Sequence, residues 1–201
     1  MTKHALNAGS SYVKEKVDTK KLGFLKVYFD VNNAYVRDKI FLIFYPFNCT
    51  FDFLFKPDLY IPLMSLFTLV VINAFKLGIK NEFHPEKLFM MISRYILIQI
   101  VSTFIYRGFG FLCKSNISFF SLLCFNGYKF LPILLVKIIL FSGLKIFAIL
   151  LGFYLLFVFF VFYSRSIRIE CNKEPRSDIN VIFVFGLAGI ETLIMFFFMK
   201  F

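Results

Sequence analysis

The stretch that decides the fold is IFAILLGFYLLFVFFVFY, at positions 146–163. It contains no charged residue, and its length lies within the range of about 17–25 residues that a helix needs to cross the hydrocarbon core of a bilayer. Inside that core each backbone N–H and C=O group must be satisfied within the protein, which a single segment achieves only as a helix. We therefore predict a transmembrane helix at 146–163.

Four further apolar stretches resemble this one in length and composition. They predict additional spans at about 60–77, 88–106, 117–141 and 179–199. Positions 142–145, Ser-Gly-Leu-Lys, separate the third and fourth stretches, and because no helix of about 45 residues fits a core roughly 30 Å thick, we predict a tight turn there. The predicted fold class is all-α, with a five-span transmembrane domain at 57–201.

The overall composition agrees with a membrane protein. The 201 residues are 59% hydrophobic and only 17% charged, and the mean hydropathy is +0.76. A water-soluble domain could not bury so much apolar surface. The formal net charge of +11 does not indicate nucleic-acid binding, because the basic residues lie before and between the apolar stretches, where they contact lipid headgroups.

The N-terminal part of the chain is too polar to cross a membrane. We predict a flexible cytosolic tail at 1–22 and an interfacial segment at 23–56. Within that segment, Tyr35 to Phe44 combine apolar residues at helical spacing with charged neighbours, and Pro46 would end such a helix. The helix either lies along the lipid headgroups or packs against the transmembrane bundle, and the sequence leaves both alternatives open.

The distribution of positive charge predicts the orientation. With the N-terminus in the cytosol, fifteen of the 23 Lys and Arg residues lie on the cytosolic side and five on the opposite side. This excess follows the positive-inside rule and places the C-terminus in the lumen. Two glycosylation sequons, at Asn48 and Asn116, then lie on the cytosolic side, so we expect neither to be modified.

Arg94, Lys129 and Glu191 are charged residues deep within the predicted spans, whereas Lys137 lies near the far end of the third span, where its long side chain can snorkel. Charges at this depth are costly and are normally neutralised by a neighbour. Because the three lie at similar depths, we expect Glu191 to pair with Lys129 or with Arg94. An ion or proton pathway, snorkelling of the long side chains and contacts with a partner are the alternatives.

The sequence contains no recognisable catalytic machinery. Its two histidines, His4 and His84, lie in the tail and in a loop, and the four cysteines have neither a metal-binding spacing nor a histidine at ligand spacing. We therefore predict that the protein is not an enzyme, with no catalytic residue, cofactor, metal or small-molecule substrate. A small transporter or channel is the alternative, although five spans divide poorly into two equal repeats.

Several short motifs are more specific than hydropathy. The sequence reads FDVNNAYV at positions 29–36 and FHPE at 83–86. The strongest motifs comprise Pro57, Asp58, Leu59, Tyr60, Ile61 and Pro62 before the first span, and Gly127, Tyr128 and Lys129 within the third. In order and spacing, these motifs resemble the YIF (Yip-interacting factor, or Hrf) family, one branch of the YIPF group of Golgi membrane proteins.

The resemblance implies a function that the residues alone do not. It implies a five-span scaffold or adaptor of the endoplasmic reticulum and Golgi membranes, acting in vesicle-mediated transport between them. It also implies a complex with a YIP-type membrane partner and association with Rab GTPases.

Overall fold

A computed structural model describes residues 26–47, 55–112, 115, 117–171 and 181–199. The predicted tail and both sequon asparagines lie outside these ranges. The described part contains seven helices of eight or more residues: α1 Asn33–Phe44, α2 Tyr60–Ile79, α3 Pro85–Leu112, α4 Phe119–Gly127, α5 Phe130–Phe141, α6 Lys145–Cys171 and α7 Val181–Met199.

Five spans are long and apolar enough to cross a membrane, which confirms the predicted fold class. They are α2, α3, the pair formed by α4 and α5, α6, and α7. No strand occurs among the residues that the structure describes. The third span is the centre of the bundle, since 61% of its most apolar segment is buried, against 22–39% in the other four spans.

Each of the other four spans packs against the third. Its second half, α5, packs against α2, α6 and α7, and its first half, α4, packs mainly against α3. The turn after α5 contains Gly143 with a φ of 83°, a conformation that glycine adopts without steric cost. The tight turn predicted at 142–145 is confirmed, because α6 begins at Lys145.

The third span is one apolar segment from Phe119 to Phe141, as predicted, but its regular helical hydrogen bonding is interrupted for one turn, at Tyr128 and Lys129. Both residues keep right-handed helical backbone angles. Pro132 explains the interruption, since its ring nitrogen cannot donate to the Tyr128 carbonyl one turn earlier. The Leu131 N–H bonds that carbonyl instead, at 3.1 Å, in the tighter i to i−3 pattern.

Two other spans are longer than their apolar sequences. The second begins at Pro85, a favoured first helical residue, and continues to Leu112, so part of each predicted flanking loop is helical. The fourth continues through Arg165 and Arg168 to Cys171, although hydropathy predicts a loop there. At 1.5 Å per residue α6 is roughly 40 Å long, which exceeds the roughly 30 Å apolar core, so its polar end leaves the hydrocarbon as a helix.

The helix predicted before Pro46 is α1, and it packs against the bundle. Leu42 and Ile43 are buried, and the Tyr154 hydroxyl of α6 donates to the Phe44 carbonyl at 3.1 Å. The rings of Phe47 and Phe157 stack with centroids 6.2 Å apart. Of the two alternatives left open by the sequence, the structure therefore agrees with packing against the bundle.

Candidate functional site

The first sequence motif forms the entry to α2. Asp58 is buried, and its Oδ1 accepts a hydrogen bond from the Ile61 backbone N–H at 3.1 Å, which satisfies one of the free donors of the first helical turn. The Leu59 N–H donates to the Tyr28 carbonyl at 2.9 Å. Ile61 and Pro62 are buried, whereas Pro57, Leu59 and Tyr60 are half-buried.

The two motifs contact each other directly. The Tyr128 hydroxyl donates to Asp58 Oδ2 at 2.5 Å and accepts from the Asp58 N–H at 3.0 Å. Gly127 faces Pro62 so closely that a Cβ at position 127 would lie 2.6 Å from the Pro62 Cβ. The motif glycine is therefore required for the close approach of α2 to the third span.

Two residues of α1 complete a buried cluster around Asp58. The Tyr35 hydroxyl donates to Asp58 Oδ2 at 3.2 Å, and Lys39 Nζ lies 3.7 Å from the same oxygen. Lys39 also donates to the Lys56 carbonyl at 2.7 Å, and its Nζ lies 5.0 Å from the centroid of the Tyr128 ring. We call Tyr35, Lys39, Asp58 and Tyr128 the aspartate cluster.

Burial dominates the electrostatics of the α1 residues in this cluster. Desolvation lowers the pKa of Lys39 to about 8, although the Asp58 carboxylate opposes that shift. Desolvation, followed by the negative charge of Asp58, raises the pKa of Tyr35 far above its ordinary value. Tyr35 therefore remains a neutral hydrogen-bond donor at physiological pH.

The second motif contributes to a deeper ion pair. Lys129 Nζ lies 2.9 Å from Glu191 Oε2 of α7, and both side chains are completely buried. Arg94 is exposed on the outer surface of α3. Of the two partners expected for Glu191, the structure therefore selects Lys129.

A third polar network flanks the interruption in the third span. The Tyr163 hydroxyl of α6 donates to Asn126 Oδ1 at 2.6 Å, and Asn126 Nδ2 donates to Thr103 Oγ1 of α3 at 3.1 Å. Three residues within four positions thus connect the middle of the bundle to its neighbours. Asn126 contacts α3 and α6, Tyr128 contacts α1 and the entry to α2, and Lys129 contacts α7. The interruption is the point at which the N-terminal segment and the spans are held together.

Comparison with known proteins identifies the family. The statistical model of the YIF1 family matches residues 1–53 and 51–200 of the chain. The chain belongs to the YIF1 family.

Several curated relatives share the family name. The chain is similar to the "Protein transport protein YIF1" of Saccharomyces cerevisiae, with 33% identity over 80% of this chain and 58% of the relative. It is 28% identical to the "Protein transport protein yif1" of Schizosaccharomyces pombe, over 96% of this chain and 78% of the relative. It is 26% identical to the mouse "Protein YIF1A", over 86% of this chain and 67% of the relative. No solved structure matches the chain significantly.

Within this YIF1-family chain, the motif residues make internal contacts. Asp58 and Tyr128 form hydrogen bonds with each other. Gly127 packs on Pro62, and Lys129 neutralises the charge of Glu191. No group of His, Cys, Asp and Glu side chains suited to a metal ion occurs among the described residues. The site is thus built to hold helices together.

Sequence reasoning did not identify several members of these networks. Tyr35 was recognised in the FDVNNAYV motif, and Tyr35 and Lys39 in an amphipathic helix, but neither was expected to contact Asp58. Thr103, Asn126 and Tyr163 were read as ordinary residues of apolar spans. One signal was available, because Pro132 follows the Gly-Tyr-Lys motif closely and a proline inside a helix removes a backbone hydrogen bond. That spacing favours an interruption at the motif.

Proposed function

We propose that this chain is a membrane adaptor in protein transport between the endoplasmic reticulum and the Golgi, acting in complex with a YIP-type membrane partner. The names of the yeast relatives, protein transport proteins, support the transport role. The matched part of the chain spans only 58% of the Saccharomyces relative. The proposed association with Rab GTPases would involve the cytosolic N-terminal region.

The observation that carries the partner proposal is the position of Arg94. It lies nine residues after the start of α3, roughly 14 Å along the helix axis and within the span. Exposed apolar residues occupy the same helix face one and two turns away, namely Met90, Leu97 and Val101. A lipid-exposed arginine at the centre of a span costs about 2.5–3.5 kcal/mol.

A partner helix with a carboxylate at the matching depth would remove this cost. Such intramembrane charges normally face protein or water rather than lipid. The lipid-facing stripe of α3 with Arg94 at its centre therefore fits a transmembrane helix that carries one acidic residue. The role proposed for Arg94 is thus a contact between two proteins and involves no catalysis.

Affinity purification from membranes in mild detergent tests the proposal. The wild-type chain should retain a YIPF-type membrane protein, and Arg94→Gln should retain more than about tenfold less, because truncating one partner of a buried charge pair costs about 2–5 kcal/mol. Arg94→Lys keeps the charge and should retain part of the partner. Lys76→Gln removes an equally exposed charge from the end of α2 and should have no effect.

Either of two results would overturn the adaptor proposal. The first is that the wild-type chain retains no second membrane protein. The second is that Arg94→Gln retains the partner as well as the wild type does.

The proposed orientation has the N-terminus in the cytosol and the C-terminus in the lumen. The excess of Lys and Arg on the N-terminal side supports it. Synthesis with microsomes should then give a product whose mass does not change on glycosidase treatment. A glycosidase-sensitive shift that disappears on replacing Asn48 or Asn116 would reverse the orientation.

One observation favours a transporter as the second candidate. The third span departs from regular helical hydrogen bonding at Tyr128 and Lys129, and irregular turns within spans accompany ion or substrate sites in many transporters. Beside the interruption, the buried Tyr106 hydroxyl lies next to Glu191, whose buried Oε1 forms no hydrogen bond of normal geometry in the described part of the chain. Saturable solute or proton flux into liposomes that contain only this chain would favour the transporter over the adaptor.

A further inference from the structure

A crevice of about 300 Å³ lies between the polar end of α6 and the start of α7. Its walls are apolar and include Phe160, Val184 and Phe185. The rings of Phe160 and Phe185 stack with centroids 5.9 Å apart. Arg165 and Arg168 also line this crevice, so it combines an apolar interior with two positive charges.

The two arginines differ in how firmly they are held. The Arg165 guanidinium donates to the Pro46 carbonyl and lies 5.4 Å from the centroid of the Phe55 ring. These contacts fix its position before any ligand binds. Arg168 is exposed. A guanidinium stays charged at all physiological pH values and offers donors in the planar arrangement that matches a phosphate.

The depth of the arginines corresponds to the lipid headgroups. Arg165 lies twenty residues from the start of α6 at Lys145, which is about 30 Å along the axis and equals the thickness of the hydrocarbon core. Arg168 lies one turn further out. Val181, the first residue of α7, also lines the crevice, so the positive end of that helix dipole adds to the two charges.

We propose that this crevice binds one acidic phospholipid. The phosphate contacts Arg165 and Arg168, and one acyl chain lies against the wall formed by Phe160, Val184 and Phe185. A zwitterionic lipid offers no net negative charge to two adjacent guanidinium groups, so the crevice selects an anionic one. In the proposed orientation it faces the cytosolic leaflet, which is the leaflet rich in acidic lipids.

This proposal does not depend on the adaptor function. A lipid in the crevice would hold the ends of α6 and α7 together, whatever partner α3 contacts. It also accounts for the continuation of α6 beyond the hydrocarbon, because that extra turn carries Arg168 to the headgroup level.

Native mass spectrometry of the purified full chain tests the site. The probe is phosphatidylinositol 4-phosphate, with phosphatidylcholine as the neutral comparison. The wild type should retain the acidic lipid in preference, and Arg168→Gln should bind it about fivefold more weakly, as expected for the loss of one basic residue at a membrane surface. Arg37→Gln, which removes an exposed charge from α1, should bind it as the wild type does.

The soluble headgroup separates a lipid site from a phosphate site. If the apolar wall contributes, inositol 1,4-bisphosphate, which has no acyl chain, should not displace the retained lipid. Displacement by this headgroup at equal concentration would overturn the proposal. Equal retention of phosphatidylcholine, or an Arg168→Gln variant that binds as the wild type does, would also overturn it.

Discussion

Tyr128 and Lys129 are adjacent in the sequence, but they stabilise two different regions in two different ways. Tyr128 belongs to the aspartate cluster, in which one carboxylate has three side-chain neighbours and a backbone N–H. Lys129 has one carboxylate, and Glu191 Oε2 has one cation. A buried charge can therefore have several partners, which we call a shared arrangement, or a single partner, which we call an exclusive one. The shared arrangement should tolerate the loss of a partner better.

The exclusive pair should give the largest effect. Glu191→Gln leaves the Lys129 ammonium buried without a counter-charge, and breaking a buried pair in this way costs about 3–5 kcal/mol. We expect a strong fall in abundance and in the thermal unfolding midpoint of the purified protein. Lys76→Gln removes an exposed charge from the end of α2 and serves as the control. A Glu191→Gln protein as stable as the wild type would contradict the pairing.

The shared cluster should give a smaller effect. Tyr128→Phe removes a hydrogen bond to the Asp58 carboxylate and should destabilise by about 1.5–3 kcal/mol. Asp58 retains Tyr35 and Lys39, so the loss should remain below that of Glu191→Gln in the same unfolding measurement. If Tyr128→Phe were the more harmful change, the distinction between shared and exclusive burial would fail.

The close approach beside the cluster gives a steric test. Gly127→Ala introduces a Cβ 2.6 Å from the Pro62 Cβ, and overpacking of this kind costs about 1–3 kcal/mol. Gly189→Ala is the matched control, because a Cβ at position 189 meets no atom within 4 Å in the described structure. Thermal unfolding should separate the two alanine variants. Equal midpoints would mean that α2 does not need the motif glycine.

The smallest effect should come from pH. Burial lowers the pKa of Lys39 to about 8, so the unfolded chain binds more protons than the folded one between about pH 8 and pH 10.5. The contribution of Lys39 is constant below pH 8 and becomes more favourable above it, by about 1 kcal/mol at pH 9. Lys39→Met, compared with the wild type in the same pH series of unfolding midpoints, should remove this gain. If the difference in unfolding midpoint between the wild type and Lys39→Met did not change with pH, that result would contradict the lowered pKa of Lys39.

The sequence predicted the parts of the fold that depend on local composition. Apolar length identified the five spans, and charge at matching depth identified the pairing of Glu191, because the bilayer imposes both requirements on the chain. It missed the interruption of the third span, since hydropathy does not register the donor that Pro132 lacks. It also missed the polar end of α6, which continues as a helix where apolar periodicity stops.

The candidate site was only partly predictable. The motifs around Asp58 and Tyr128 were recognised, but their contact joins residues 70 positions apart, and no local pattern encodes it. Tyr35 lies 23 positions before Asp58 and is subject to the same limitation. The family resemblance identified the motif residues, and the packing of the helices explains why they occur together.

The central claim is that the buried charges hold the helices together and carry no ion or proton. The direct test is the double variant Lys129→Met with Glu191→Leu, assayed for folding and for secretory transport in cells that depend on this chain. Replacing a buried ion pair with apolar residues of similar volume is often neutral or stabilising, so the double variant should fold and support transport while each single variant fails. A double variant that folds like the wild type but does not support transport would contradict the account.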